Sequence, residues 1–340
     1  MANCNEIFRD FNKTIMLSQS RRDSLKTSRK GLKDRIVKYF KENKEDELQP
    51  RFASQGSFDT NTIINPIPRK EKDEDGNEVT KLYYDLDYGV YFLGDEKPEN
   101  RKTPATYHRW IVEAVDGHTS TAPIDKNTCV RVVFYDGHHI DLPIYYKLVG
   151  EKPELAHKSK SWIYSDPKEF KDWLMERINM NEQLRRIIRY MKAWKDFREY
   201  SNSSKKFPSG LVLSILAAEN YISNERDDIA LRDTLQAIKF KLNLNFACLR
   251  PTTPKYENLL ENYNHKDYFK ANLSDLVTTG THAIEEKNQK KACEYWQKYF
   301  GDRLPCSMAK DEEEKNSNSA ATLGLTISST PKPFCDERYF

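Results

Sequence analysis

Two carboxylates, Asp85 and Asp87, stand one residue apart in the run Tyr83-Tyr84-Asp85-Leu86-Asp87-Tyr88-Gly89-Val90-Tyr91-Phe92. Aromatic and β-branched residues dominate this run and alternate around the acids, which predicts a β-strand. Successive strand side chains point to opposite faces, so both acids project from the same one. Two carboxylates left alone there repel each other and lose hydration. A divalent cation removes both problems, and Mg²⁺ is the hard ion usually held by one or two carboxylates together with phosphates.

Two further stretches suit that chemistry. Upstream, Arg51-Phe52-Ala53-Ser54-Gln55-Gly56-Ser57-Phe58 reads as a short strand running into a Gly-Ser turn. Glycine lets the backbone approach closely, so Gly56 and Ser57 can set N–H groups and a hydroxyl against a phosphate. Downstream, Val130 to Tyr135, the turn Asp136-Gly137 and His138-His139-Ile140-Asp141-Leu142-Pro143 give a hairpin with Asp141 on its second strand. A third acid on a neighbouring strand completes a cage for two Mg²⁺ ions. Such a cage activates an attacking hydroxyl and stabilises a leaving pyrophosphate. An isolated Asp-x-Asp is commonly a solvated strand face, and an isolated Gly-Ser an ordinary turn. The ordered set of all three carries the signal.

The elements that must position these groups fall into four stretches. Residues 1–47 read as one long or broken N-terminal helix lying against the core. Apolar residues Ile7, Phe8, Phe11, Ile15, Leu25, Leu32, Ile36 and Phe40 recur there amid a solvated basic face. Residues 48–160 read as a strand-rich unit, a mixed sheet with helices on one face and an exposed charged hairpin or loop around Arg69 to Glu78. Residues 161–309 are mainly helical, opening at Ser165-Asp166-Pro167 and closing with a helix over 285–300. Residues 310–340, acidic and then Ser/Thr-rich, read as a mobile tail with an aromatic end that could dock.

Two positions in the helical part bear on anions. Along Asn181 to Tyr200, Leu184, Ile187, Ile188, Met191 and Trp194 form an apolar stripe. Lys195 falls inside it and Lys192 at its edge. A lysine on a buried face either meets an anion or snorkels to solvent. Ser209, before the apolar helix from Leu211, stands where a helix N-terminus favours phosphate oxygens, or where a serine simply caps the helix.

Composition narrows the classes. At 340 residues the chain can build two modest cores. Mean hydropathy is −0.83, and the longest apolar stretch, 211–218, is too short for a membrane span. Met1 to Glu6 lacks a secretory pattern, so the expected compartment is the cytoplasm. Six scattered cysteines without zinc spacing read as reduced thiols. A net charge of +3 gives no basic track for a nucleic-acid partner.

Gln55-Gly56-Ser57, the Asp85-x-Asp87-x-Gly89-x-Tyr91 strand, Ile140-Asp141-Leu142-Pro143, the helix Leu184 to Asp196 and Phe207-Pro208-Ser209-Gly210 together resemble the bacterial cGAS/DncV-like nucleotidyltransferases (CD-NTases) of the polymerase-β superfamily. The resemblance covers about residues 20–300. It implies an α+β, bilobed fold, with a polymerase-β-like palm over residues 48–160 plus a helical lobe similar to oligoadenylate synthase, and an N-terminal helix packing across both lobes. It implies template-independent synthesis of a cyclic oligonucleotide second messenger from NTPs, a purine cyclic dinucleotide such as cyclic GMP-AMP from ATP and GTP. Pyrophosphate is released, and the product binds a downstream effector in anti-phage defence. By matching motif, Gln55 and Ser57 hold the donor nucleotide. Asp85, Asp87 and Asp141 bind two Mg²⁺, and Lys195 and Ser209 contact donor phosphate. Glu257 is the nearest acid for contact with a base. The charged insertion between Gly-Ser and Asp-x-Asp departs from the family pattern.

The alternative is another template-free nucleotidyltransferase, acting on RNA, protein or a small-molecule acceptor. A non-catalytic nucleotide sensor is the third reading, and the presence of all three acids argues against it.

Overall fold

The computed structural model describes residues 1–311 except position 74. The expected tail falls, from 312 onward, outside the described residues.

The expected N-terminal helix is two helices. α1 (Asn5–Ile15) ends at Met16, and Ser18 caps α2 (Gln19–Asn43) by accepting the Arg21 N–H at 3.4 Å. Such a cap is worth about 1 kcal/mol. The two helices bury their apolar residues in different cores. Leu25, Leu32, Ile36 and Phe40 of α2 pack on the sheet, whereas Ile7, Phe8, Phe11 and Ile15 of α1 belong to the helical part.

The sheet is mixed. β1 (Arg51–Gln55) lies antiparallel to β4 (Asp85–Gly94), which runs parallel to β7 (His139–Leu148). Beyond β7 come β6 (Cys129–Val133) and the short β5 (Ile124–Asp125), while β8 (Glu154–His157) and β9 (Ser161–Tyr164) extend its far end. Between β1 and β4 lie the single turn α3 (Gly56–Asp59) and a separate hairpin, β2 (Arg69–Lys72) with β3 (Glu78–Lys81), where the charged insertion was expected.

Alternation decides which way the acids face. Leu86, Tyr88, Val90 and Phe92 of β4, with Ile140, Leu142, Ile144 and Tyr146 of β7, are buried beneath α2 and α4 (Pro104–Val115). Their strand neighbours therefore face the other side, away from that helix layer.

On that other side stand α5 (Pro167–Met180), α6 (Gln183–Ser201), α7 (Gly210–Asn220), α8 (Asp227–Leu244), α9 (Lys266–Glu285) and α10 (Gln289–Phe300). Asp166 caps α5 through the Lys168 and Glu169 N–H groups, with Pro167 in its first turn, as the sequence predicts. The closing helix begins at Gln289 rather than 285, because Asn288 caps it at Lys291. Phe8 of α1 lies edge-on to Tyr190 and Trp296, each at 5.2 Å. The Tyr190 hydroxyl oxygen lies 2.8 Å from both the Phe8 carbonyl and a carboxylate oxygen of buried Asp227, and its single proton serves one of them.

The expectation of reduced thiols is corrected for one pair. Cys293 and Cys306 form a disulfide, because the chain after α10 folds back and sets their Cα atoms 5.6 Å apart. Cys4, Cys129 and Cys248 are free and buried. No described helix is long and apolar enough to cross a membrane.

Candidate active site

A cleft of about 630 Å³ lies between the sheet and the helical part. Gln55, Gly56, Ser57, Asp85 and Asp87 line it from one side, and Lys192, Lys195, Ser209 and Arg250 from the other.

The parallel pairing of β4 with β7 sets Asp85 opposite His139 and Asp87 opposite Asp141. All four side chains share the cleft-side face. One ligand atom each from Asp85, His139 and Asp141 lie within 4.8 Å of one another, so these residues could hold a metal ion. Gly56 closes over Asp87 with φ at +72°, a conformation that glycine adopts at no steric cost. A Cβ built there would stand 2.1 Å from an Asp87 carboxylate oxygen, so only glycine leaves room for this acid.

The charges are unevenly matched. Burial, then the nearby Asp85 and Asp141 carboxylates, push the Asp87 pKa well above the usual range. Burial would raise Asp141 likewise. Arg131 on β6 overrides this, donating from Nε and an Nη at 2.6 and 2.7 Å and holding the carboxyl below its usual range. Burial, with Arg131 alongside, lowers the His139 pKa and favours the neutral ring.

The sequence-predicted anion contacts are brought to the same cleft in different states. The Gln55 amide donates to the Tyr145 hydroxyl at 3.2 Å and accepts from Tyr91 at 3.4 Å, and these two rings stack at 4.7 Å. The Ser57 hydroxyl has no hydrogen-bond partner among the described residues. Lys195 pairs with Glu199 at 2.6 Å, and Glu199 also accepts the Phe207 N–H at 2.8 Å. Ser209 caps α7 by accepting the Val212 N–H at 3.3 Å. Glu257 is exposed and does not line the cleft; it holds Arg250, which does, at 2.7 Å.

Lys192 is the residue that sequence reasoning left at the margin. Its Nζ donates to the Thr62 carbonyl and hydroxyl at 3.2 and 3.1 Å. Burial lowers its pKa to about 8, against the pull of Asp85. It is therefore the cation enclosed beside the acid pair, while Lys195 is already neutralised. His139 and Arg131 were also missed. The signal for His139 was present, since it stands two residues before Asp141 on a strand.

Residues 50–145 match the family model described as cyclic GMP-AMP synthase DncV-like, nucleotidyltransferase domain. That stretch, under a third of the chain, is therefore similar to the DncV-like nucleotidyltransferase domain. A cyclic GMP-AMP synthase of Escherichia albertii is 27% identical over 238 residues, covering 66% of this chain and 51% of the relative. One of Vibrio cholerae is 25% identical over 252 residues, covering 59% and 54%. The chain thus spans about half the length of the curated relatives it matches. The crystal structure of Vibrio cholerae DncV cyclic AMP-GMP synthase in complex with nonhydrolyzable GTP superposes with a TM-score of 0.75 at 18% identity, over 89% of this chain and 97% of that one. The α+β, two-part fold is therefore that of DncV, with the DncV-like domain holding Gln55, Gly56, Ser57 and all three acids.

Proposed function

We propose that this DncV-like protein joins two NTPs, ATP and GTP by likeness to its relatives, into a cyclic dinucleotide and releases pyrophosphate. The observation that carries this reading is the convergence of Asp85, Asp87 and Asp141 on one sheet face, with Asp85 and Asp87 lining a cleft that Lys192 and Lys195 also line and Asp87 closed over by Gly56. The Vibrio cholerae synthase has been seen with a linear intermediate, 5′ pppA(3′,5′)pG, which supports a two-step route through one cleft.

The donor triphosphate would lie between the turn and the helical part. Ser57 would give it a hydroxyl and Gln55 an amide to orient the nucleotide. Gly56 keeps the approach open, and Lys192 would set positive charge beside the phosphates. Lys195 and Ser209 would join them after exchanging the Glu199 and Val212 contacts for phosphate oxygens. Asp85 and Asp87 would hold one Mg²⁺ and Asp141 would help hold a second. When bound, such ions lower the pKa of the acceptor hydroxyl and neutralise the leaving group. The product would act as a second messenger on an effector protein of the same cell, in defence against phage.

Incubation with each NTP pair, without any other acceptor, tests the reading by product mass and pyrophosphate release. A phosphatase-resistant dinucleotide is expected. Asp85→Asn with Asp87→Asn should lower turnover about 10³-fold or more, because charge stabilisation dominates this chemistry. Undiminished turnover in the double variant would falsify the assignment. A product formed only with added RNA, protein or small-molecule acceptor would replace cyclisation with transfer.

A further inference from the structure

We propose that His139 is itself a metal ligand, and that with Asp85 and Asp141 it forms a mixed nitrogen–oxygen site which prefers Mn²⁺ to Mg²⁺. The inference rests on the nucleotidyltransferase reading only for what the ion would be used for.

The three ligand atoms lie within 4.8 Å of one another. Ligands on a common ion with bonds of about 2.2 Å sit roughly 3–4.4 Å apart in octahedral geometry. The grouping follows from register rather than from a flexible loop: His139 pairs with Asp85 across the parallel strands and precedes Asp141 by two on β7. Asp87 lies outside the group, under Gly56.

The neighbouring histidine shows what a structural imidazole looks like here. His138 points to the other face, stacks on Phe134 at 4.4 Å, and uses one ring nitrogen on Asp136 and the other on Ser28. Neither ring nitrogen of His139 has a hydrogen-bond partner among the described residues. The imidazole at the site is thus unspent, while its neighbour is fully engaged.

Charge supplies the selectivity. Arg131 already covers both Asp141 oxygens and cancels one of the two negative charges facing the ion. Its side chain is 25% exposed, so it can release one oxygen toward solvent. Mg²⁺ binds oxygen ligands almost exclusively and depends on their charge. Mn²⁺ accepts an imidazole nitrogen beside carboxylates more readily than Mg²⁺ does, so a nitrogen donor favours it where the guanidinium has weakened one carboxylate.

The test uses the full chain stripped with chelator and titrated with Mn²⁺, with and without a nonhydrolysable NTP. Binding is read by electron paramagnetic resonance, and coordination by pulsed measurement of nitrogen coupling to the ion. Coupling from an imidazole is expected, and it should change to the ¹⁵N signature when the protein carries ¹⁵N-histidine. That labelled wild type answers without any substitution. His139→Gln should abolish the coupling and weaken Mn²⁺ about tenfold or more, while Mg²⁺ affinity changes less than about twofold. Bound Mn²⁺ without histidine coupling in either nucleotide state overturns the proposal, as does equal loss of Mn²⁺ and Mg²⁺ in the variant. A wild type that shows the coupling but releases no pyrophosphate from any NTP pair keeps the metal site and removes the nucleotidyl-transfer reading.

Discussion

Replacing Gly56 by alanine separates the cost of backbone strain from the cost of moving an acid. At φ +72° an alanine sits in the left-handed region, which costs about 1–2 kcal/mol. Its Cβ would also stand 2.1 Å from the Asp87 oxygen and 3.1 Å from its Cγ. Ordinary contacts are about 3.5 Å or longer, so the carboxylate must move by about 1 Å or more. The moving atom ends a side chain, so the displacement costs little folding energy. It instead removes Asp87 from where a cation and phosphate would meet, and a 1 Å error there costs about 10²-fold in rate. Gly76 supplies the control, with φ +82° and nothing within 4 Å of the Cβ it would gain. Urea unfolding should place Gly56→Ala and Gly76→Ala within about 1 kcal/mol of each other. Pyrophosphate release should fall about 10²-fold only in the first. Equal turnover in the two variants would refute the geometry argued for Asp87.

The remaining predictions concern charge. Asp87 has a raised pKa in the metal-free fold, so the native state holds its proton longer than the unfolded chain, and stability falls as pH rises above 3.8. In chelator at pH about 8, Asp87→Asn should therefore stabilise the protein by about 1–3 kcal/mol, with the difference from wild type shrinking toward acid, measured by urea midpoints. Lys192→Met should lower pyrophosphate release about 10²-fold and Lys195→Met by less than about tenfold, since Lys195 is already paired with Glu199. The Lys192 ammonium is lost as pH rises through about 8, so KM for NTP should climb there in wild type and not in Lys192→Met.

Much of the palm was legible because strands carry a period of two. Asp85 and Asp87 could be put on one face from alternation alone, and the hairpin turn at Asp136-Gly137 told which strand bore the third acid, but only the β4–β7 register sets Asp141 on the same face. The helical contacts were harder, because a period of 3.6 leaves the edge of a stripe ambiguous. Lys192 and Lys195 lie about 60° apart around α6, and only the position of Thr62, far away in sequence, decides which ammonium is enclosed. Arg131 was invisible as a partner because its meaning depends on cross-strand register with Asp141. The Cys293–Cys306 bridge escaped for a similar reason, since no spacing rule reports a chain that doubles back after a helix.

The junction between α1 and α2 bears on how substrates enter. Phe8 and Phe11 anchor one end in an aromatic cage, Leu25 and Leu32 fasten the other to the sheet, and only Met16, Leu17 and Ser18 run between. Within that short link Met16 bridges to Ile64 and the Asn65 N–H reaches the Ile15 carbonyl at 2.7 Å. Because the link is only three residues long, pulling the two cores apart at this point would expose the phenylalanines of α1 to water. On the proposed reaction, triphosphates would enter and a cyclic product would leave a cleft whose two sides are tied together behind it by this short link.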